Sequence, residues 1–200
     1  MSNFVLGVDL DGVVADFYGR LREIAAEWFD VPIDELPVNP NNISEWGINN
    51  QAEYERIHYF AVTERELFAS MQPIPGDPPA LRRLSNNEVR IRIVTHRLVT
   101  RRIHRSSIIQ TVKWLDRYGI PYWDLCFLGE KSAVDANCFV DDTPEQINRL
   151  AESGKHVIVY TNFTNSKVEE SDLIRRADDW EEAEDLVERL FEKWKKRHAQ

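Results

Sequence analysis

The chain has 200 residues, of which 42% are apolar and 30% are charged, and its formal net charge at pH 7 is −9. This composition is typical of a folded globular protein and excludes a wholly disordered chain. The acidic balance argues against binding of a nucleic acid polymer, and no apolar run reaches the ~18 residues of a membrane-spanning helix.

The N-terminal segment and the cysteines indicate the compartment. The first apolar stretch is short, has no basic flank and ends in acid, so it does not resemble a signal peptide. Cys126 and Cys138 lie in apolar surroundings without a CxxC or zinc-binding pattern, and we expect both to be buried, reduced thiols. We therefore predict a cytoplasmic protein with neither a polymer nor a membrane as partner.

Short apolar runs alternate with amphipathic helical stretches along the chain. Such alternation requires crossover connections between strands, which predicts an α/β fold with a mostly parallel sheet and helices on both faces. The predicted strands are Phe4–Val8, Val89–Val94, Leu125–Leu128, Phe139–Val140 and His156–Tyr160.

Helices are predicted between and after these strands. The first carries Ile108, Val112 and Leu115 on its apolar face, with Gly119 as its C-cap. The last has an acidic start and a Lys/Arg-rich end, which the helix dipole favours. These helices cover Ser107–Tyr118, Glu145–Ser153 and an apolar stripe from Trp180 to Trp194.

The stretch from about residue 20 to 72 breaks this alternation, because it contains helical segments and no convincing strand. We interpret residues 19–72 as a small helical insert in an α/β domain formed by residues 1–18 and 73–200. Most of the insert's aromatic side chains are expected to form a small core of their own. They are Trp28, Phe29, Trp46, Tyr54, Tyr59, Phe60 and Phe68.

Polar residues stand where the predicted strands end. In a parallel α/β sheet, ligands bind outside the carboxyl ends of the strands, so we expect these side chains to form one site. The set comprises Asp9, Asp11, Thr95, Lys131, Asp141 and Asp142.

These residue types indicate phosphate chemistry. Asp9 and Asp11 are two apart in an extended segment and so face the same side, while Gly12 permits a sharp turn beside them. Gathered carboxylates repel one another unless a cation lies between them, and oxygen ligands favour Mg²⁺. The charge of Lys131 and the hydroxyl of Thr95 both suit a transferring phosphoryl group.

Four motifs then resemble those of the haloacid dehalogenase-like phosphatases. Asp9-Leu-Asp-Gly-Val-Val14 resembles their first motif, and Ile93-Val-Thr95 resembles the second. Lys131 and Val140-Asp-Asp142 are similar to the third and fourth, in the same order along the chain. The resemblance implies a Rossmann-like parallel sheet, with the helical insert acting as a cap after the first strand.

Within that superfamily the chain resembles the 5'(3')-deoxyribonucleotidase family more closely. This implies hydrolysis of small phosphomonoesters, of which (deoxy)nucleoside monophosphates are the expected substrates. The segments that carry the resemblance are Val8–Phe17, Gln72–Gly76, Asp141–Glu145, His156–Asn165 and Ala177–Trp180.

The resemblance also implies roles for the residues at the strand ends. Asp9 would be the nucleophile that forms an aspartyl phosphate, and Asp11 would protonate the leaving group and later deprotonate water. Thr95 and Lys131 would hold the phosphate oxygens. Mg²⁺ would be bound by Asp9, by the backbone carbonyl of Asp11, and by Asp141 or Asp142, a choice that the sequence leaves open.

Candidate substrate contacts are Phe17, His96 and Arg97. The family's matching phenylalanine stacks on the nucleobase, but a core residue at the start of a helix is an equally good interpretation of Phe17. His96 and Arg97 depart from the small residues of the family's vertebrate members, and they add bulk and charge next to Thr95.

Other functions were weighed against this one. A phosphatase for another small phosphorylated metabolite and a non-catalytic relative that binds a phosphorylated ligand both stay open. A receiver domain uses similar groups in a different order, since its acceptor aspartate closes the third strand. The oligomeric state is also open, a homodimer included.

Overall fold

A parallel sheet organises the chain in the computed structural model, which describes residues 3–98 and 100–198. Its strands are β1 (Val5–Val8), β2 (Arg90–Thr95), β3 (Asp124–Phe127), β4 (Cys138–Asp141), β5 (His156–Tyr160) and β6 (Ile174–Ala177). Across the sheet they stand in the order β3-β2-β1-β4-β5-β6, and neighbouring strands are parallel. The predicted α/β parallel fold is confirmed.

Helices connect these strands, and none of those in the described ranges has the length and apolar character needed to cross a bilayer. They are α1 (Phe17–Phe29), α2 (Gln51–Glu64), α3 (Leu67–Ser70), α4 (Asp77–Asn86), α5 (His104–Tyr118), α6 (Pro144–Glu152) and α7 (Trp180–His198). Short 3-10 helices cover Ile33–Glu35, Ile43–Trp46, Arg101–Ile103 and Lys131–Ala133.

Both faces of the sheet are covered, because successive strand residues join different hydrophobic clusters. In β4, Cys138 and Val140 belong to the cluster that also contains buried residues of α4, α5 and α7. Phe139 belongs to a second cluster with Ile147 and Leu150 of α6. Strands buried on both faces read as continuous apolar runs, which is why the sequence revealed them.

The edge strand β6 is not among the strands predicted from the sequence. Its middle residues, Arg175 and Arg176, are charged and not buried, whereas Ile174 and Ala177 at its ends are. A strand with so little apolar sequence gives no signal of its own, and here it is specified by pairing with β5.

The insert shares its hydrophobic packing with the sheet. Leu21 of α1, Ile57 of α2 and Phe68 of α3 are buried in the same cluster as the β1 residues Leu6 and Val8. The expectation that the aromatic residues form a separate core is therefore wrong: Trp46 and Phe68 join the common cluster, and Trp28 and Tyr59 are exposed.

The predicted apolar face of α5 is correct only in part. Leu115 is buried, but Ile108 is 39% exposed, and the buried side also includes Gln110, Thr111 and Trp114. Gln110 donates a hydrogen bond to the Val62 carbonyl (2.8 Å), and the Trp114 indole donates to the Met71 carbonyl (2.9 Å). Polar side chains are buried here because the insert supplies their hydrogen-bond partners.

Several local predictions are confirmed. Gly119 ends α5 in the left-handed conformation with φ of 60°. Apart from these predictions, the structure shows that Asp16 caps α1 by accepting the N–H of Gly19 at 2.9 Å. Both cysteines are free thiols, although Cys126 is only half-buried while Cys138 is fully buried.

Asp77 is a buried carboxyl group at the first position of α4. One oxygen accepts the N–H of Ile74 at 3.1 Å, and the other has no hydrogen-bond partner among the described residues. Burial raises the pKa of Asp77 to about 8, although the Ile74 hydrogen bond and the nearby Arg82 oppose the shift. The folded protein therefore favours the protonated form of this side chain.

We expect Asp77→Asn to change how stability depends on pH. The unfolded chain loses this proton near pH 3.8 and the folded chain near 8, so the wild type loses stability as pH rises between those values. Asparagine keeps the acceptor for Ile74 and does not titrate. Urea unfolding at about pH 5 and about pH 8.5 should show the variant gaining relative to the wild type at the higher pH. An identical difference at both pH values would contradict this assignment.

Candidate active site

The carboxyl ends of β2, β1 and β4 meet at the centre of the sheet. The strand order reverses here, since β2 and β3 lie on one side of β1 and β4 to β6 lie on the other. Asp9 directly follows β1, Thr95 ends β2 and Asp141 ends β4. A reversal of strand order is where α/β sheets form a crevice for ligands.

Lys131 joins the acidic groups at this point. It begins the 3-10 helix after β3 and is 2% exposed. Its Nζ lies 3.0 Å from Asp9 Oδ2 and 2.6 Å from Asp141 Oδ2. Burial opposes the charge on Lys131, but the two carboxylates outweigh it and raise its pKa above the ordinary value.

Three buried carboxyl groups form a cluster that fits a metal ion. Asp9, Asp141 and Asp142 each offer an oxygen, and these oxygens lie within 4.8 Å of one another. Burial raises the pKa of Asp9 to about 7 against the attraction of Lys131, and the neighbouring Asp141 adds to the increase. Burial, and after it the neighbouring carboxylates of Asp9 and Asp141, raise the pKa of Asp142. A bound cation would relieve this repulsion, and all-oxygen ligands suit Mg²⁺.

Asp142 is held by groups that the sequence analysis did not assign to the site. Its carboxylate accepts hydrogen bonds from Asn162 Nδ2 (2.7 Å) and from the Tyr18 hydroxyl (3.3 Å). Asn165 Nδ2 donates to the Asp142 backbone carbonyl at 2.9 Å. Asn162 follows β5 closely, so the rule that identified the other strand ends could also have found it.

Asp11 lies apart from the cluster and is paired with Arg97. Nε of Arg97 is 3.0 Å from Asp11 Oδ2, and Nη2 is 2.6 Å from Asp11 Oδ1. The third guanidinium nitrogen, Nη1, donates to Thr111 Oγ1 at 3.0 Å. The side chain that we expected beside a substrate phosphate is thus bound within the protein, and its contact with substrate stays a prediction.

A cavity of about 520 Å³ lies above these residues. On the side of the sheet it is lined by Asp9, Asp11, Lys131 and Asp142. The insert contributes an aromatic wall, in which Tyr54 stacks on His58 with centroids 5.6 Å apart. The other lining residues are Phe17, Tyr18, Gln51, Glu55, Phe68, His96, Arg97, Thr100, Gly129, Thr143, Glu145, Gln146 and Arg149.

The remaining predicted residues occupy distinct positions. Phe17 is buried in the main hydrophobic cluster and also lines the cavity, and its stacking on a nucleobase stays a prediction. His96 lines the cavity and is exposed to solvent. Its partial desolvation there and the positive charge of Lys131 lower its pKa. Thr95 is buried, and its hydroxyl has no hydrogen-bond partner within the described ranges.

Two solved hydrolase structures share this architecture. One, a haloacid dehalogenase-superfamily hydrolase from Geobacter sulfurreducens, matches with a TM-score of 0.54 and 16% identity, covering 92% of this chain and 100% of that one. Another, described as a predicted phosphoglycolate phosphatase from Haemophilus somnus, matches with a TM-score of 0.59 and 14% identity, covering 94% and 99%. This likeness shows that the chain has the fold of these hydrolases.

Sequence comparison specifies the family. The model of the family "5' nucleotidase, deoxy (Pyrimidine), cytosolic type C protein" matches residues 3–193. A protein of Chlorobaculum tepidum, provisionally named 5'(3')-deoxyribonucleotidase, is 50% identical over 187 residues, which are 93% of this chain and 91% of the relative. The chain belongs to this family, and it is an enzyme that hydrolyses phosphoric monoesters.

Gly12 is required by the turn within the first motif. Its φ is 78°, and a Cβ at this position would overlap the carboxylate of Asp142. Gly154 has a similar φ of 80°, but a Cβ there would meet nothing within 4 Å. A comparison of substitutions at these two glycines therefore distinguishes the effect of backbone strain from the effect of obstructing the site.

We expect Gly12→Ala to abolish phosphomonoester hydrolysis, because the added methyl group displaces Asp142 in addition to straining the backbone. Gly154→Ala should lose only the ~1–2 kcal/mol of stability that a left-handed residue with a side chain costs, and should retain its activity. Phosphate release and thermal unfolding measured on both variants test this difference. Wild-type turnover by Gly12→Ala would show that Asp142 tolerates the displacement.

Proposed function

We propose that the chain is a Mg²⁺-dependent 5'(3')-deoxyribonucleotidase that hydrolyses (deoxy)nucleoside monophosphates through an aspartyl phosphate on Asp9. The observation that carries the proposal is the position of the Lys131 ammonium, within 3.0 Å of both Asp9 and Asp141 in the carboxylate cluster. A nucleophile and a phosphate-binding cation are thereby adjacent. Family membership and the Chlorobaculum tepidum relative support the substrate class.

In the first half-reaction, a carboxylate oxygen of Asp9 attacks phosphorus and the ester bond to the nucleoside oxygen breaks. The departing oxygen takes a proton from Asp11 and leaves as an alcohol. Lys131 and the unpartnered hydroxyl of Thr95 would bind phosphoryl oxygens. Because Lys131 is buried, its charge acts in a medium of low dielectric, where it stabilises the developing charge strongly.

In the second half-reaction, Asp11 takes a proton from water while the water oxygen attacks phosphorus. The acyl phosphate bond breaks, which releases inorganic phosphate and restores the Asp9 carboxylate and the protonated Asp11. One residue thus serves as acid and then as base, and no proton is left over at the end of the cycle.

The metal would be held by Asp9, by the Asp11 backbone carbonyl, and by Asp141 or Asp142. When bound, Mg²⁺ would neutralise part of the charge of the phosphoryl group and of the surrounding carboxylates. The buried carboxylate cluster supplies the negative charge that would attract this ion. A cytoplasmic location stays a prediction that accompanies this function.

The lining of the cavity supports a nucleoside as the leaving group. Charged groups form its phosphate end, and its other side is formed by aromatic rings that include Phe17 and, from the insert, Tyr54 and Phe68. Base stacking on an aromatic face contributes about 1–3 kcal/mol per base. The insert is proposed to act as a cap that selects the substrate, while residues at the strand ends carry out the chemistry.

We expect Asp9→Asn to eliminate turnover without preventing folding, because the amide has nearly the same shape as the carboxylate but is not a nucleophile. Beryllium fluoride, which mimics an acyl phosphate, should bind to Asp9 in the wild type and not in the variant. Asp16→Asn is the matched control, since Asp16 caps α1 outside the cavity and asparagine is also a good cap. Phosphate release by Asp9→Asn at a rate near wild type would rule out the aspartyl phosphate.

Removal of Phe17 should separate substrate selection from chemistry. We expect Phe17→Ala to raise KM for a deoxynucleoside monophosphate by about 5- to 150-fold and to leave kcat for p-nitrophenyl phosphate nearly unchanged. Because Phe17 is also buried, Phe17→Leu serves as the control that preserves packing better.

The same assay discriminates between substrate classes. Wild-type hydrolysis of nucleoside monophosphates should exceed that of sugar phosphates, and chelation of Mg²⁺ should stop both. An unchanged nucleotide KM in Phe17→Ala would make Phe17 a core residue only. Equal or better hydrolysis of sugar phosphates would leave a phosphatase for another small metabolite.

A further inference from the structure

The pair formed by Arg97 and Asp11 suggests a function for Arg97 that does not involve substrate. We propose that Arg97 is the positioning residue for Asp11, and that it fixes the orientation of this carboxyl group, which in its protonated form transfers a proton to the leaving group. The proposal rests on the proposed role of Asp11 as acid and base.

The contact has the geometry that arginine provides and lysine does not. Nε lies 3.2 Å from Oδ1 and 3.0 Å from Oδ2 of Asp11, and Nη2 lies 2.6 Å from Oδ1. Two parallel donors in a rigid plane fix both the position and the plane of a carboxylate. Asp11 is 25% exposed to the cavity, so its orientation is set on one side by Arg97 and on the other by substrate.

Arg97 is itself held from several directions. Its Nη1 donates to Thr111 Oγ1 of α5 (3.0 Å), and this hydroxyl in turn donates to the Ser107 carbonyl (2.7 Å). The guanidinium also lies 4.4 Å from the centroid of the Phe68 ring, which belongs to α3 of the insert. Arg97 is only 3% exposed, so the surrounding atoms leave its side chain little room to move.

These contacts make a direct role in substrate binding less favourable. Each guanidinium nitrogen already has an acceptor within the protein, and rotation toward a phosphate would leave buried Thr111 and the Asp11 carboxylate without this partner. Proton transfer, by contrast, depends on the placement of the acid to within a fraction of an ångström. Fixing Asp11 therefore uses the observed geometry as it stands.

The leaving group gives a test that a structural defect would not imitate. A nucleoside alkoxide needs a proton to depart, whereas p-nitrophenolate departs without one. Since kcat/KM reports the steps up to departure of the leaving group, we expect Arg97→Met to lower kcat/KM for a deoxynucleoside monophosphate by about 10- to 100-fold. The value for p-nitrophenyl phosphate should fall by less than about threefold.

A double-mutant cycle completes the test. If Arg97 acts through Asp11, then Asp11→Asn combined with Arg97→Met should be no slower than Asp11→Asn alone, within about twofold. Multiplied effects would overturn the proposal. An equal loss on both substrates would also overturn it, because it would indicate contact with the shared phosphate group or a distorted site.

Two further variants distinguish the proposed role of Arg97 from general structural damage. Arg92→Met removes a comparable arginine–aspartate pair on β2, in which Nε lies 2.9 Å from Asp124 Oδ2, and should leave both kinetic values unchanged. Thr111→Val removes the hydroxyl that holds Arg97 and should reproduce the same leaving-group dependence in milder form. Loss of that dependence in a folded Thr111→Val protein would argue against the proposal.

This design separates the proposal from the proposed function. If the wild type hydrolyses no phosphomonoester, or if Asp11→Asn has no effect on the nucleotide, the assignment of Asp11 fails. If Asp11→Asn slows the nucleotide and Arg97→Met does not, only the inference about Arg97 fails.

Discussion

A buried ammonium group holds the acidic groups of the candidate active site in place. Lys131 lies between Asp9 and Asp141, and without it the three clustered carboxylates would face one another in a medium of low dielectric. It also connects distant parts of the sheet, because β3, which precedes Lys131, is separated from β4 by two strands. Breaking a buried charge pair leaves an uncompensated charge, so the loop after β3 is bound to the centre of the sheet by electrostatics.

Two cations divide the acidic groups according to their chemistry. Lys131 presents a point charge that can attract carboxylates and phosphoryl oxygens alike. Arg97 presents a planar fork that fixes one carboxylate, that of Asp11, away from the others. Asp9 and Asp11, the proposed nucleophile and proton carrier, are only two residues apart in sequence, and the distinct shapes of their cationic partners give them distinct environments.

The sequence was sufficient for the features that depend on local pattern. Strands β1, β4 and β5 are apolar runs that are mostly buried, and β2 alternates charged with buried apolar residues. The residues at the strand ends were expected to converge because parallel strands share one edge. Features that depend on distant partners were not visible. The buried polar face of α5 depends on carbonyl groups of the insert, as Gln110 and Val62 show. The pairing of Asp11 with Arg97 joins residues 86 positions apart, and no periodicity encodes it.

The common hydrophobic cluster of sheet and insert determines how freely the cavity can open. Swinging the insert away would break contacts across this boundary, among them the Trp114 hydrogen bond to the Met71 carbonyl and the contact of the Arg97 guanidinium with the Phe68 ring. Exposing one large apolar side chain costs about 1.5–3 kcal/mol, so a hinge motion that uncovered several side chains of the common cluster would consume most of the ~5–15 kcal/mol that stabilises a typical domain. We therefore expect substrate and product to exchange through the cleft that is already formed, so that no closing motion reduces the affinity for either.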